Sequence, residues 1–339
     1  MLVSTATASR LAAIDGAQLL QDVPLANYTR FGIGGPARLL FDTASESAFV
    51  EALQVVNETA DPHVVIGGGT NLVVADAGFD GIVLRYTGGK IERQGLSLNV
   101  QAGAVLQSVV DASIAYGLKG LQTMTGIPGY LGGAVYGNAG AYGRSIHEMA
   151  QQVRFAVGGE IKEFDNAACR FRYRDSIFKA RKDWVILSAT LLLTEGDTQE
   201  LAHKAAEIRA IRDEKYPPTM KCAGSIFKNL IVADLPPHVQ AMIPPKQIRE
   251  GKVASAWFLE QADVKGLRKG DIQVATYHAN LIYNDGHGTA ADLVWMINEL
   301  KQRVLEQFGF EIEEEVQYVG LEAKHESADL KPTLRPRKA

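Results

Sequence analysis

The chain has 339 residues, a formal net charge of −4, 46% hydrophobic residues and a mean hydropathy of −0.04, which excludes a disordered or fibrous chain and leaves room for two or three globular domains. No Lys/Arg cluster in the body of the chain is interleaved with stacking aromatics, so nucleic acid is not an expected partner. The stretch through Leu20 is broken by Arg10 and Asp15 and reads as neither a secretion signal nor a membrane span, so a cytoplasmic protein without membrane contact is expected.

Residues 1–24 read as an N-terminal extension. Over 25–86 the apolar runs Leu39-Leu40-Phe41, Val64-Val65-Ile66 and Ile82-Val83-Leu84 alternate with turn residues, and a helix is predicted across Glu46 to Asn57, giving a small α/β unit. Residues 87–213 hold strand candidates at Leu98 to Gln101, Val153 to Val157 and Val185 to Leu193. Among them lies a helix whose Leu106, Val109, Val110 and Ile114 recur with helical spacing until Gly117 ends it. A helix from Thr198 to Arg212, with Leu201, Ala205, Ile208 and Ile211 on one face, runs into Tyr216-Pro217-Pro218, which cannot continue it. The main domain boundary falls there.

The third unit, 214–322, combines a helix near Ala254 to Gln261 with strands near Val274 and Leu281-Ile282-Tyr283. A long helix follows, opened by Thr289 and Asp292 as a capping-box variant and carrying Leu293, Met296, Ile297, Leu300, Val304 and Phe308 on one stripe, before a last strand at Val316 to Val319. Residues 323–339, with Lys331, Arg335, Arg337 and Lys338 among prolines, are expected to form a disordered basic tail. No internal repeat is visible and no long apolar stripe is left unassigned, so a monomer is expected. Cys169 and Cys222 form no CxxC pair and the seven histidines no HxxxH pair, so neither a disulfide framework nor a metal site is expected.

Two segments depart from helical and strand periodicity. Gly67-Gly68-Gly69-Thr70-Asn71 follows the strand at Val64, and glycines and small residues dominate Thr125 to Gly143. Glycine lets amide N–H groups approach a ligand closely, so two such loops suggest one long ligand, with a dinucleotide the natural candidate. A Gly-x-Gly-x-x-Gly turn between strand and helix is absent, so the phosphate grip is expected to be a loop of amides rather than a helix end. Taken alone, the first run could equally be an ordinary glycine turn. Tyr173-Arg174-Asp175-Ser176 offers a planar fork for a carboxylate or phosphate, or is a solvated loop. Ser225, after Ala223-Gly224, has no His-Asp partnership and is either a turn cap or part of a site; Glu313-Glu314-Glu315 would ordinarily be a solvated acidic run.

Their combination and order carry more than any one of them. The chain resembles the UDP-N-acetylenolpyruvoylglucosamine reductase family over about Asn27 to Gly320. The resemblance rests on Thr29-Arg30-Phe31-Gly32-Ile33-Gly34-Gly35, Gly67 to Leu72, Gly126-Ile127-Pro128-Gly129, Asn138-Ala139-Gly140-Ala141-Tyr142-Gly143, Tyr173 to Ser176, Ala223 to Asn229, Tyr277-His278-Ala279-Asn280 and Glu314-Glu315-Val316. It implies an α+β chain: a two-domain FAD-binding fold of the vanillyl-alcohol-oxidase/PCMH type plus a C-terminal α+β substrate-binding domain. The short stretch from Phe178 to the strand at Val185 and helix at Thr198 leaves no room for an extra tyrosine-bearing loop, so the chain is similar to the shorter, second type of the family.

The implied reaction is reduction of the enolpyruvyl ether of UDP-N-acetylglucosamine to UDP-N-acetylmuramate, with NADPH as co-substrate and FAD as carrier, in peptidoglycan precursor synthesis. By resemblance FAD lies on Ile66, Gly67, Gly68, Gly69, Thr70, Asn71 and Leu72 of the first loop and on Thr125, Gly126, Ile127, Pro128, Gly132, Gly133, Asn138, Gly140 and Ala141 of the second. It is expected to be non-covalent, since neither loop contains a cysteine or histidine. The resemblance assigns catalysis to Arg174 and Glu315, which bracket the substrate carboxylate, and to Ser225, which protonates the enolate-like carbon. It assigns the diphosphate and uridine side to Lys215 and Asn229 and the lining of the cleft to Tyr173, His278 and Asn280. The register of the glutamate run is open; Glu315 is preferred because it directly precedes Val316. Another oxidoreductase on the same flavin fold would have no reason to carry the Ala-Gly-Ser and Glu-Val elements, and a binding module would need none of the three catalytic candidates.

Overall fold

In the computed structural model, which describes residues 3–321, the segment expected to be an extension is built into the first sheet. Helix α1 (Thr5–Ala12) is capped by Ser4, whose hydroxyl accepts a hydrogen bond from Thr7 N–H at 3.1 Å. Strand β1 (Ala17–Pro24) pairs antiparallel with β2 (Pro36–Thr43), from Ala17 opposite Thr43 to Pro24 opposite Pro36. It was hidden in the sequence because it is an edge strand, and its polar Gln18, Gln21 and Asp22 mask any alternation. Helix α2 (Glu46–Thr59) follows, then β3 (His63–Ile66), β4 (Leu72–Val74) and β5 (Phe79–Tyr86). The sheet order is β1-β2-β5-β3, with β2 and β3 both parallel to β5, and α2 buries Phe49, Leu53 and Val56 against the shared core.

The second unit is an antiparallel sheet of β6 (Ile91–Gln94), β7 (Ser97–Gln101), β8 (Ala150–Val157), β9 (Glu160–Asp165) and β10 (Trp184–Leu192), ordered β9-β8-β10-β7-β6. Helix α3 (Leu106–Ala115) packs beside the short α4 (Leu131–Tyr136), and α4 packs on the sheet. Helix α4 lies within the stretch read as aperiodic: six residues are too few for periodicity to show, yet Leu131, Ala134 and Val135 are buried. One continuous apolar core runs from Leu39 and Phe49 of the first sheet to Phe155 and Leu187 of the second. Residues 25–86 and 87–213 therefore share a core while keeping separate sheets.

Helix α5 (Thr198–Lys215), capped by Asp197, leads to the third unit, where Pro217 and Pro218 stop it as expected. There β11 (Lys221–Ser225) and β12 (Ile272–Val274) flank β13 (Leu281–Asn284) in antiparallel fashion, beside α6 (Ser255–Gln261) and α7 (Ala290–Phe308). Helix α7 opens on Thr289, whose hydroxyl accepts from Asp292 N–H at 3.1 Å, and buries the whole predicted stripe from Leu293 to Phe308. The unit is tied to the first in three places. Phe31, Ile33 and Val73 enter its core, and the Asp76 carboxylate accepts from Ala290 and Ala291 N–H at 2.8 and 3.0 Å. The final strand β14 (Gln317–Val319) leaves its own unit and pairs in parallel with β4. The basic tail at 323–339 lies outside the described residues. Among those described, no helix is long and apolar enough to cross a membrane.

Candidate active site

The first glycine loop begins where β3 ends. Gly69 has φ +63°, and a Cβ there would lie 1.7 Å from the Tyr28 carbonyl oxygen, so only glycine lets the chain pass. Arg30 N–H holds the loop from behind through the Gly69 carbonyl at 3.1 Å. On the other side, the N–H groups of Gly68, Gly69, Thr70 and Asn71 donate to no protein acceptor among the described residues. Four amide donors in consecutive residues of one loop form an anion cradle in want of acceptors.

The second loop packs against the first. A Cβ on Gly68 would lie 3.2 Å from the Gly129 Cα, one on Gly129 (φ +109°) 2.8 Å from Thr70 Oγ1, and one on Gly132 3.0 Å from the Ala102 Cβ. Gly133 is the exception: a methyl there meets nothing within 4 Å, because it faces the cavity. That cavity, about 600 Å³, runs from Phe49 and Leu53 on α2, past both loops, to Ser225 and Glu315. It is lined by Ile66 to Leu72 without a break, and by Ile127, Pro128, Gly132, Gly133 and Gly140 of the second loop.

Four residues expected to touch the cofactor are not among those that line this cavity. Thr125 is buried and donates its hydroxyl proton to the Gln122 carbonyl at 2.8 Å. Gly126 (φ +77°) makes way for Arg212, whose Cδ would be 2.9 Å from a Cβ. Asn138 donates its amide to the Arg172 carbonyl at 2.7 Å and accepts from His147 N–H, which ties the second loop to the Arg174 turn. Ala141 pairs with Arg144 in a two-residue hairpin.

At the far end, Arg174, Ser225 and Glu315 line the same cavity although they come from three distant segments. Arg174 sits in a tight turn closed by reciprocal backbone bonds between Arg172 and Asp175, at φ +55°, a conformation costly for a residue with a side chain. Lys179 Nζ steadies that turn by donating to the Arg174 carbonyl at 3.0 Å, and burial pushes the Lys179 ammonium below its ordinary pKa. The guanidinium donates from Nε to Glu315 Oε1 at 3.2 Å and from Nη2 to the Gly140 carbonyl at 2.9 Å. Its remaining donors are uncommitted among the described contacts.

Glu315 is placed by backbone. Its N–H donates to the Ile226 carbonyl at 2.7 Å, next to Ser225, and its carbonyl accepts from the Asn71 side-chain amide at 2.9 Å, next to the first glycine loop. One residue thus clamps both walls together. The three glutamates take three different environments: Glu313 is 68% exposed and pairs with Lys228, whereas Glu314 is 10% exposed and pairs with Lys301 at 2.8 Å. Of the three, Glu315 alone lines the cavity. Ser225 ends β11 after a bulge, with Gly224 at φ +78°, and its hydroxyl lies 3.1 Å from the Tyr216 hydroxyl.

The remaining predicted residues stand around these three rather than in the cavity wall. Asn280, expected along the cleft, is 1% exposed, and its amide is committed at both ends to Phe227, accepting from N–H at 2.8 Å and donating to C=O at 2.9 Å. It is a strut under the Ser225 strand. The Tyr173 hydroxyl accepts from Asn229 N–H at 3.2 Å, so these two hold each other, and the Arg174 and Lys252 cations flank the Tyr173 ring. Lys215 and His278 approach the Tyr216 ring, at 5.1 and 6.3 Å from its centroid. Burial, and then the Lys215 charge, push the His278 imidazole down to about 4, so it is neutral at physiological pH.

Several lining residues were not singled out in the sequence. Arg212 reaches the cavity with its Nε buried and unpartnered, and burial lowers its pKa; Tyr216 stacks beneath it, 5.4 Å from guanidinium to ring. Tyr136 lines the wall with its phenol pushed up to about 12 by burial. The available signal was their position, Arg212 in the last turn of α5 and Tyr216 directly after its end, where the two prolines turn the chain.

Fold and cleft together define an FAD-dependent oxidoreductase: residues 37–160 match the FAD binding domain family, and residues 216–319 match the C-terminal domain of UDP-N-acetylenolpyruvoylglucosamine reductase. A UDP-N-acetylenolpyruvoylglucosamine reductase from Solibacter usitatus is 53% identical over 92% of this chain and 100% of that protein. One from Rubrobacter xylanophilus is 35% identical over 88% of this chain and 94% of its own length. The crystal structure of the Thermus caldophilus enzyme superposes with a TM-score of 0.69 at 29% identity, covering 89% of this chain and 98% of that one. This chain belongs to the UDP-N-acetylenolpyruvoylglucosamine reductase family, with an FAD-binding domain followed by a C-terminal α+β domain. The cleft fits FAD: four amides without acceptors suit its diphosphate, and the open face of Gly133 leaves room for a bulky group against the wall.

Proposed function

We propose that this chain reduces the enolpyruvyl ether of UDP-N-acetylglucosamine to the lactyl ether of UDP-N-acetylmuramate, using NADPH and non-covalent FAD, as a monomeric cytoplasmic enzyme. The observation that carries this reading is the convergence of Arg174, Ser225 and Glu315 on one end of the cavity whose other walls are the two glycine loops. Ile66 to Leu72 and the second glycine loop would hold FAD, which would supply hydride chemistry to the vinyl group. The protein's own task is to manage the charge that addition pushes onto the neighbouring carbon and its carboxylate.

Arg174 offers its uncommitted N–H donors to that carboxylate, in a turn already fixed by Lys179 and Asn138, so little reorganisation is needed when charge develops. Glu315 accepts from the same guanidinium at 3.2 Å and so brings its carboxyl group beside the place where the substrate carboxylate would bind. Ser225 then gives its hydroxyl proton to the enolate carbon. A hydroxyl is a weak acid, but an enolate carbon in contact with it is basic enough to take the proton. Lys215 and Asn229 stand near this end and suit the diphosphate and uridine side of the sugar nucleotide, with Tyr173 and His278 beside them. The dinucleotide and the sugar nucleotide use this one cleft in turn.

The test separates the two half-reactions by anaerobic stopped-flow. Ser225→Ala should leave flavin reduction by NADPH nearly intact and slow flavin reoxidation by the enolpyruvyl sugar nucleotide by about 10²–10⁴-fold. Equal slowing of both halves would make Ser225 structural.

A further inference from the structure

We propose that Tyr216 is a proton-relaying, positioning residue behind Ser225, restoring the serine proton as that proton passes to substrate carbon; this rests on the assignment of Ser225 as the donor. Three observations lead to it. The Tyr216 hydroxyl lies 3.1 Å from Ser225 Oγ, so the two are within direct proton-transfer distance. Tyr216 closes α5, its N–H donating to the Arg212 carbonyl at 2.6 Å, and Pro217 and Pro218 follow directly, so its backbone is held on both sides. Its ring lies between two cations, the Arg212 guanidinium at 5.4 Å and the Lys215 ammonium at 5.1 Å from the centroid. The nearby His278 is neutral, held so by burial and by the Lys215 charge.

The chemistry needs such a partner. When Ser225 alone protonates the enolate carbon it is left as an alkoxide, nearly as poor an outcome as the charge it removed. A phenol is a far stronger acid than an aliphatic alcohol. As the new C–H bond forms at the carbon bearing the carboxylate, the Ser225 O–H bond breaks. The Tyr216 O–H proton moves to Ser225 Oγ in the same event. Its bonding pair stays on the phenolic oxygen of a ring that the Arg212 and Lys215 cations approach. Water reprotonates the phenolate once product has left, so no other reactant is required.

Tyr216→Phe keeps the ring and its cation contacts and removes only the hydroxyl. The holoenzyme variant should retain FAD and reduce with NADPH at the wild-type rate. Its reoxidation by the enolpyruvyl sugar nucleotide should slow by about a hundredfold. The decisive readout is the dependence of that reoxidation rate on the deuterium fraction of the solvent: bowed in the wild type, where two protons move, and linear in Tyr216→Phe, where one does. A wild-type rate, or a curve still bowed in the variant, would overturn the relay. Ser225→Ala, measured in parallel, separates the two levels. If it reoxidises normally, the underlying assignment of Ser225 fails. If it is slow while Tyr216→Phe is normal, only the relay fails.

Discussion

At the glycine end of the cleft the wall is largely backbone, and at the other end it is side chains. In the first region the determinants are local: Gly68 to Asn71 present their amides because Gly69 can turn where Tyr28 leaves no room for a Cβ. In the second, Arg174, Ser225 and Glu315 become neighbours only through tertiary structure, with Asn71 and the Ile226 carbonyl holding Glu315 between both walls. A site made of backbone fails when the fold fails. A site made of side chains can fail while the fold stands. This contrast gives the account its sharpest tests.

The largest effect is expected at Gly69. A methyl 1.7 Å from a carbonyl oxygen, at φ +63°, forces the loop apart, so Gly69→Ala should lose FAD and about 3 kcal/mol or more of stability. Flavin absorbance of the purified protein and its urea midpoint check both. Gly133→Ala is the counterpart: its methyl meets no protein atom, so the apoprotein should unfold at the wild-type midpoint or slightly above it while FAD binds more weakly. If both variants lose stability equally, the distinction between a structural and a ligand-facing glycine is wrong.

Next come the adjacent glutamates, which should part company. Glu315→Gln removes the cavity carboxyl and is expected to slow reoxidation by about 10²–10³-fold with an unchanged unfolding midpoint. Glu314→Gln, which weakens the part-buried pair with Lys301, should instead cost about 1–3 kcal/mol of stability and leave the reoxidation rate of folded enzyme alone. Reversed outcomes would move the site register by one residue.

The smallest effect is a pH dependence at His278. Its folded-state pKa is held at about 4, below the ordinary 6.5, so between these values the unfolded chain binds a proton that the folded one does not. Stability from this group is present above about pH 6.5 and is lost as pH falls toward 4. Allowing for solvent screening, the wild type should lose about 1–2 kcal/mol relative to His278→Gln across that window. Urea unfolding at several pH values measures it, and parallel curves for the two proteins would contradict a buried neutral imidazole.

Much of this was legible in the sequence, and what was not has physical reasons. Helices α2, α3, α5 and α7 announced themselves because each buries a stripe at helical spacing and most carry a cap or a stop, such as Thr289 or Pro217. Strand β1 did not, since one face of an edge strand meets water and polar residues erase the alternation. The loops were legible as glycine clusters, but their layering was not. Thr125, Gly126, Asn138 and Ala141 lie within the motif yet outside the cavity lining, a matter of backbone path that composition does not encode. Asn280 was misplaced for a related reason: a buried amide serving Phe227 and an exposed amide serving a ligand look alike in one dimension. Tyr216 was read only as a helix terminator, because its partner Ser225 is brought close by the turn of the two prolines.

The central claim is that the two ends of this cleft act on one substrate. Anaerobic NADPH oxidation by the FAD-loaded protein, with and without UDP-N-acetylglucosamine enolpyruvate, tests it most directly. Sustained turnover only when the sugar nucleotide is present is the predicted result. Flavin that NADPH reduces and the sugar nucleotide cannot reoxidise would contradict it.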